Sequence, residues 1–239
     1  NLCVESAKAG SIFKMISAMA ASYYKEESVG SVLMNYSGDY FGNLFTNMGE
    51  GTVTGCLNRI MGFNEPLVCD FGELRNSMEI EDLETLYGAG TGDSVKCSPM
   101  YLAMITNAAV NGGKVYRPYM LEEVIDSITL NVTERKAEPD VIYSIEQEYT
   151  KDIRNNMEYM ASELGLEPEG SEEKTYVMTG TAKEEAAYET HYLAGAIDKG
   201  EGEVVSVVIQ QKNAKSKTAE ADIGNLKTVF GYIREGGIR

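Results

Sequence analysis

Three late segments, Tyr176–Ala182, Tyr192–Asp198 and Val204–Gln211, restrict the fold of this chain more than any other feature. Each reads as a short strand, and turn residues separate it from the next. The link Lys199-Gly200-Glu201-Gly202 is a tight turn, so the last two segments form an antiparallel hairpin. A final helix, expected over about Ala221–Arg234, would pack across the sheet they build.

The first half has a different texture. Helical spacing of apolar residues runs over Ser11–Tyr24, Tyr40–Met48 and Thr52–Met61, the last closed by Gly62 as a C-cap. Phe63–Thr91 reads as turn-rich and acidic, ending in the glycine cluster Gly88-Ala89-Gly90-Thr91-Gly92. Ser98-Pro99 opens the next helix, with serine as N-cap and proline in the first turn, and Asn111-Gly112-Gly113 closes it. Short alternating runs follow Tyr116-Arg117-Pro118-Tyr119, and Val141–Leu164 reads as one amphipathic helix. A mostly helical lobe over 12–113, followed by sheet, loops and terminal helix over 114–239, makes one domain of class α+β.

Composition narrows the function. The 239 residues are 43% apolar and 24% charged, which suits an ordinary globular protein. A net charge of −16 makes nucleic acid and anionic lipid poor partners, since both would be repelled. Cys3, Cys56, Cys69 and Cys97 have no C-x-x-C spacing, and His191 is the only histidine, so no zinc site is expected; no motif in the chain calls for another cofactor. No run of about twenty apolar residues is present to cross a membrane.

Chemistry enters at Ala9-Gly10-Ser11-Ile12-Phe13-Lys14, a Ser-x-x-Lys pair behind a glycine at the mouth of an apolar helix. A serine on the first turn faces unpaired backbone N–H groups and the positive end of the helix dipole. A lysine three residues on shares its face and can reach the serine oxygen, the arrangement of a nucleophile with its proton acceptor. Ser22-Tyr23-Tyr24-Lys25 and Ser171-Glu172-Glu173-Lys174 fit the same spacing, and Ser171 also follows a glycine, but both lack the internal Ile-Phe and the Ala/Met helix that frame Ser11.

Further segments join this one in order along the whole chain. They are Tyr40-Phe41-Gly42-Asn43-Leu44-Phe45, Arg59-Ile60-Met61-Gly62-Phe63-Asn64, Gly90-Thr91-Gly92-Asp93 through Ser98-Pro99, Asn111-Gly112-Gly113, Arg117-Pro118 and Met178-Thr179-Gly180-Thr181-Ala182. Together they resemble the transpeptidase domain of penicillin-binding proteins, whose motifs are S-x-x-K, S-x-N and K-T-G. The resemblance implies a penicillin-binding-type antiparallel sheet flanked by helices and a helical subdomain. Two strands of that sheet would precede the nucleophile helix and lie outside this chain, leaving the edge of Val204–Gln211 open or completed by another polypeptide. It also implies a place on the extracytoplasmic face of a bacterial cell membrane, with an anchoring segment not present here.

By the same resemblance Ser11 is the acyl-forming nucleophile, Lys14 its base, and the backbone N–H groups of Ser11 and Thr181 the oxyanion hole, with Thr179, Gly180 and Thr181 beside the substrate. Ser37 stands for the second motif, in the register Tyr36-Ser37-Gly38 or Ser37-Gly38-Asp39; either way the asparagine is gone. Met178 replaces the lysine of the third motif, removing a charge-assisted hydrogen bond of roughly 1.5–3 kcal/mol to the substrate carboxylate. Two readings stay open. One is a D,D-transpeptidase acting on peptidoglycan stem peptides and acylated by β-lactam antibiotics. The other is a degenerate binding or scaffold module that meets cell-wall assembly proteins and turns over little.

Overall fold

In the computed structural model the described residues are 2–29, 38–135, 139–168, 172–184, 188–215 and 219–236. The chain opens with a two-residue strand, β1 (Ala7–Lys8), and a 3-10 turn, Gly10–Phe13, which runs into α1 (Lys14–Lys25). Helices α2 (Gly38–Met48) and α3 (Glu50–Met61) follow. Short strands β2 (Leu67–Cys69), β3 (Gly72–Leu74) and β4 (Ser77–Met78) lead to α4 (Leu83–Thr91), β5 (Val95–Cys97) and α5 (Pro99–Val110). Next come β6 (Lys114–Tyr116), β7 (Glu123–Ile125), β8 (Val132–Arg135), β9 (Val141–Ser144) and α6 (Gln147–Glu163). Three long strands, β10 (Lys174–Lys183), β11 (Tyr188–Asp198) and β12 (Val204–Lys215), precede α7 (Ala219–Arg234).

The long strands form one antiparallel sheet in the order β10-β11-β12, with Gly180 opposite Tyr192 and Thr181 opposite His191. Among the described residues β11 is the only strand paired with β12, and on α5 the Asn107 side-chain amide donates to the Val204 carbonyl at 3.0 Å. A groove of about 890 Å³, lined in part by Met100, Met104, Val204 and Val208, runs beside β12.

Each face of the sheet covers a core. On one side Leu226, Phe230 and Ile233 of α7 bury against Val177, Leu193 and Ile197, and Gly195 leaves room for the Phe230 ring: a Cβ there would stand 2.6 Å from it. On the other lies the main core, centred on the almost fully buried α1, where Met15, Ile16 and Met19 meet Phe41, Phe45, Leu57 and Ile105. Burying each such side chain is worth about 1.5–3 kcal/mol, so packing rather than helix propensity holds α1 in place.

Local signals behaved as their chemistry dictates at several boundaries. The Ser98 hydroxyl accepts the Tyr101 N–H at 3.2 Å, Pro99 sits in the first turn of α5, and Gly62 ends α3 in the left-handed conformation. Elsewhere the expected elements shift. The helix expected from Ser11 starts as a 3-10 turn and becomes α-helical only at Lys14. The single helix expected over Val141–Leu164 is a strand followed by a helix, because Val141–Tyr143 pairs with β6. The stretch read as turns before Thr91 contains α4, started by a capping box in which Asp82 accepts the Thr85 N–H at 2.9 Å. Its glycines serve packing rather than turning: a Cβ on Gly90 would stand 2.2 Å from the Phe41 carbonyl oxygen.

Candidate functional site

The 3-10 turn and strand β10 are pressed together closely enough to exclude side chains between them. A Cβ on Gly180 would lie 2.3 Å from the Ile12 nitrogen, and one on Gly10 would lie 2.2 Å from the Thr181 oxygen. Gly10 also has φ +56°, in the left-handed region that a substituted residue resists. Gly92 completes the stack, since its Cβ would stand 2.0 Å from the Gly10 oxygen. These contacts bring together residues far apart in sequence, and Thr181 N–H donates to Ser11 Oγ at 2.9 Å.

The 3-10 geometry has a chemical consequence. With three residues per turn, positions i and i+3 eclipse, so Lys14 stands over Ser11 more directly than in an α-helix. Both side chains line one cleft of about 560 Å³, together with Thr181. Gly180 is buried beneath it, whereas Thr179 is exposed two residues before Thr181 on the same side of the strand. Ser37 and Tyr36 lie outside the described residues.

Further residues complete the cleft, Asp39 and Asp93 from the motif segments and the others from outside them. Lys183 comes from β10 and Lys8 from β1, which pairs with β5 in a separate small sheet, while Asp39 comes from α2, Tyr87 from α4 and Asp93 from just after α4. Tyr87 donates its hydroxyl to Asp39 Oδ1 at 2.5 Å; this bond, with some desolvation, holds the phenol above its ordinary range, so it stays a donor at neutral pH. Asp39 ends the register Ser37-Gly38-Asp39 of the second motif, a hint available in the sequence. Nothing local marks Tyr87, Lys8 or Lys183.

Beneath the sheet wall lies a buried phenol. Tyr192 donates to the Lys8 carbonyl at 2.6 Å and accepts from Gln210 Nε2 at 2.8 Å, tying the segment before Ser11 to the sheet. His191, opposite Thr181, has Nε2 3.3 Å from Glu189 and is not among the cleft-lining side chains. Met178 is half-buried and packs on the main core.

An antiparallel sheet covered by a terminal helix, with a serine–lysine pair beside a backbone donor on its edge strand, is the frame of serine acyl-transfer proteins of the penicillin-binding type. The sequence profile of the penicillin-binding protein transpeptidase domain matches residues 21–227. The chain belongs to that family. The match begins after Ser11 and Lys14, so the placement of those two rests on the geometry above. Stage V sporulation protein D of Bacillus subtilis is 31% identical over 84 residues, which span 35% of this chain and 12% of that protein.

Among solved structures, penicillin-binding protein A from M. tuberculosis, as an imipenem acyl-enzyme complex, superposes with a TM-score of 0.79 at 17% identity. It covers 97% of this chain and 61% of its own. The D,D-transpeptidase domain of a peptidoglycan glycosyltransferase from Eggerthella lenta gives 0.76 at 14% identity, covering 99% of this chain and 68% of its own.

Proposed function

We propose that residues 1–239 are the transpeptidase-like domain of a peptidoglycan cross-linking enzyme that works through a Ser11 acyl-enzyme. The observation that carries this reading is the 2.9 Å contact of the Thr181 N–H with Ser11 Oγ in a cleft shared with Lys14. The Lys14 amine takes the Ser11 proton as Oγ attacks the penultimate D-alanyl carbonyl of a stem peptide. The carbonyl oxygen becomes an oxyanion between the N–H groups of Ser11 and Thr181, a pair of donors of the kind worth about 3–4 kcal/mol each in comparable enzymes. Collapse of that intermediate breaks the peptide bond, and D-alanine leaves with a proton returned through Lys14. An amine of a second stem peptide then attacks the ester and frees Ser11 Oγ.

Thr179, Gly180 and Thr181 line the path of the substrate chain in this reading, and Ser37 relays a proton to the leaving amine. β-Lactams, whose ring amide mimics the scissile bond, acylate Ser11 by the same steps. Peptidoglycan lies outside the cytoplasmic membrane of bacteria, so the extracytoplasmic face is where the domain works; among the described residues no helix is long and apolar enough to cross a membrane.

Met178 favours a second reading, a binding or scaffold module of cell-wall assembly, because its thioether adds no charge to the sheet wall. Intact mass after incubation with benzylpenicillin separates the two. The transpeptidase reading expects a stoichiometric adduct that Ser11→Ala abolishes and Lys14→Ala slows strongly. No adduct, either in the parent or in Met178→Lys, supports the module. An adduct on another serine transfers the nucleophile's role away from Ser11.

A further inference from the structure

Losing the third-motif lysine leaves a specific gap, a cation for the substrate's terminal carboxylate, and the cleft contains lysines that the motif does not predict. We propose that Lys183, at the far end of β10 and on the other face from Met178, is in its stead the specificity-determining cation for a peptide ending in a free carboxylate. The inference rests on the serine transpeptidase reading for the orientation of the substrate.

The argument begins with strand alternation. Thr179, Thr181 and Lys183 occupy alternate positions of β10 and are all exposed, while Gly180 and Ala182 between them are buried. Side chains two apart share a face, so the Thr179 and Thr181 hydroxyls and the Lys183 ammonium form one row of donors. Lys183 lies about 7 Å along the strand from Thr181, a distance its flexible four-carbon stem can cover in reverse. Both line the Ser11 cleft.

The other two cleft lysines have other work. Lys14 is the Ser11 base in the transpeptidase reading, which assigns it to the proton rather than to the carboxylate. Lys8 lies near Glu79, whose carboxyl is held low mainly by its 2.7 Å ion pair with Lys96 and to a lesser degree by Lys8 itself. The acid registered opposite Lys183 is Glu189, and its carboxylate is engaged with His191 at 3.3 Å. Asp39 and Asp93 stand on the helical wall, so an extended ligand with its carboxylate toward β10 avoids them. The cleft is therefore polarised, and Lys183 is the cation on the wall that carries the oxyanion donor.

The test uses the whole chain in a Ser11→Ala background, where binding is measured without acylation. Chemical-shift titration with N-acetyl-D-alanyl-D-alanine and with its C-terminal amide reads the carboxylate contribution directly. Because Lys183 is exposed, the expected preference for the acid is modest, about fivefold, and it shrinks as salt is raised. Lys183→Ala should erase the preference, Lys183→Arg should keep it, and Lys8→Ala should leave it unchanged. Lys183 is overturned if the preference survives Lys183→Ala, is lost in Lys8→Ala instead, or is absent from the Ser11→Ala parent because acid and amide bind equally or not at all. Whether the protein with Ser11 intact forms a penicillin adduct decides the transpeptidase reading separately, so the two can fail independently.

Discussion

On the sheet side of the cleft the group set beside Ser11 is a backbone N–H, whereas on the helical side the groups that line it are side chains that hold one another. Gly10, Gly92 and Gly180 let main chain meet main chain at distances that leave no space for a methyl group, and the Thr181 N–H stands on Ser11 Oγ as a result. In the opposite wall Gly90 likewise lets α4 meet the α2 backbone, but the groups that line the cleft are side chains, Asp39 and Tyr87, joined by their hydrogen bond. Where charge must be stabilised at a fixed point, positioning by backbone costs no reorganisation at the moment of reaction. A wall made of exposed side chains can adapt to ligands of different shape, at the expense of rigidity. The contrast assigns bond-making to one wall and accommodation to the other.

The strongest way to break this contrast is Gly10→Ala. The new methyl would meet Thr181 oxygen and Ala182 Cα at 2.2 and 2.5 Å, at a positive φ, so the turn must move away from β10. Overpacking of this kind costs about 1–3 kcal/mol and the left-handed conformation about 1–2 more. A thermal melt should fall by several degrees, and adduct formation with benzylpenicillin should be lost. A melt equal to that of the parent would show that this wall is not rigid.

Tyr192→Phe should come next. It deletes a buried hydroxyl and leaves the Lys8 carbonyl and the Gln210 amide short of a partner, for a loss of about 1–3 kcal/mol by chemical denaturation. Tyr87→Phe removes a comparable bond from the helical wall, but an exposed one. Its effect on the melting temperature should be the smaller of the two. The reverse order would mean that the walls have been assigned the wrong way round.

The smallest effect is one of pH. Hydrogen bonds from the Thr85 N–H and hydroxyl hold the Asp82 carboxyl below its ordinary 3.8. A group whose folded value is depressed contributes stability above its unfolded value and loses it as pH falls through the folded one. The melting temperature should therefore decline below about pH 4, and Asp82→Asn should flatten part of that decline. Glu79 and Asp126 are shifted in the same direction, so some of the decline remains in the variant.

The parts legible in the sequence were those whose cause is local. Ser98-Pro99 caps a helix through its own turn, and Gly62 ends one through its own φ. The three late strands show themselves by residue type and tight connections, and they are longer in the fold than expected because pairing extends each one. Helix α4 was hidden because Gly88 and Gly90 look like turn residues until Ser94 and Phe41 are placed against them. Strand β9 was hidden because a short apolar run fits either period, and its partner β6 settles the choice.

The same division runs through the site. Residue types and spacing alone determined that a serine and a lysine share one face of a turn and that a Thr-Gly-Thr strand follows late in the chain, while the family resemblance added that Met178 stands where a lysine is expected. Only the tertiary structure decided that Thr181, 170 residues from Ser11, puts its N–H on the serine oxygen. It alone gathered Lys8 and Lys183 with Asp39, Tyr87 and Asp93 around one cleft. Propensity, capping and periodicity act over a few residues, whereas a site of this kind is made where distant elements pack, and the approach of 3-10 turn to strand depends on glycines whose purpose is visible only once both backbones are in place.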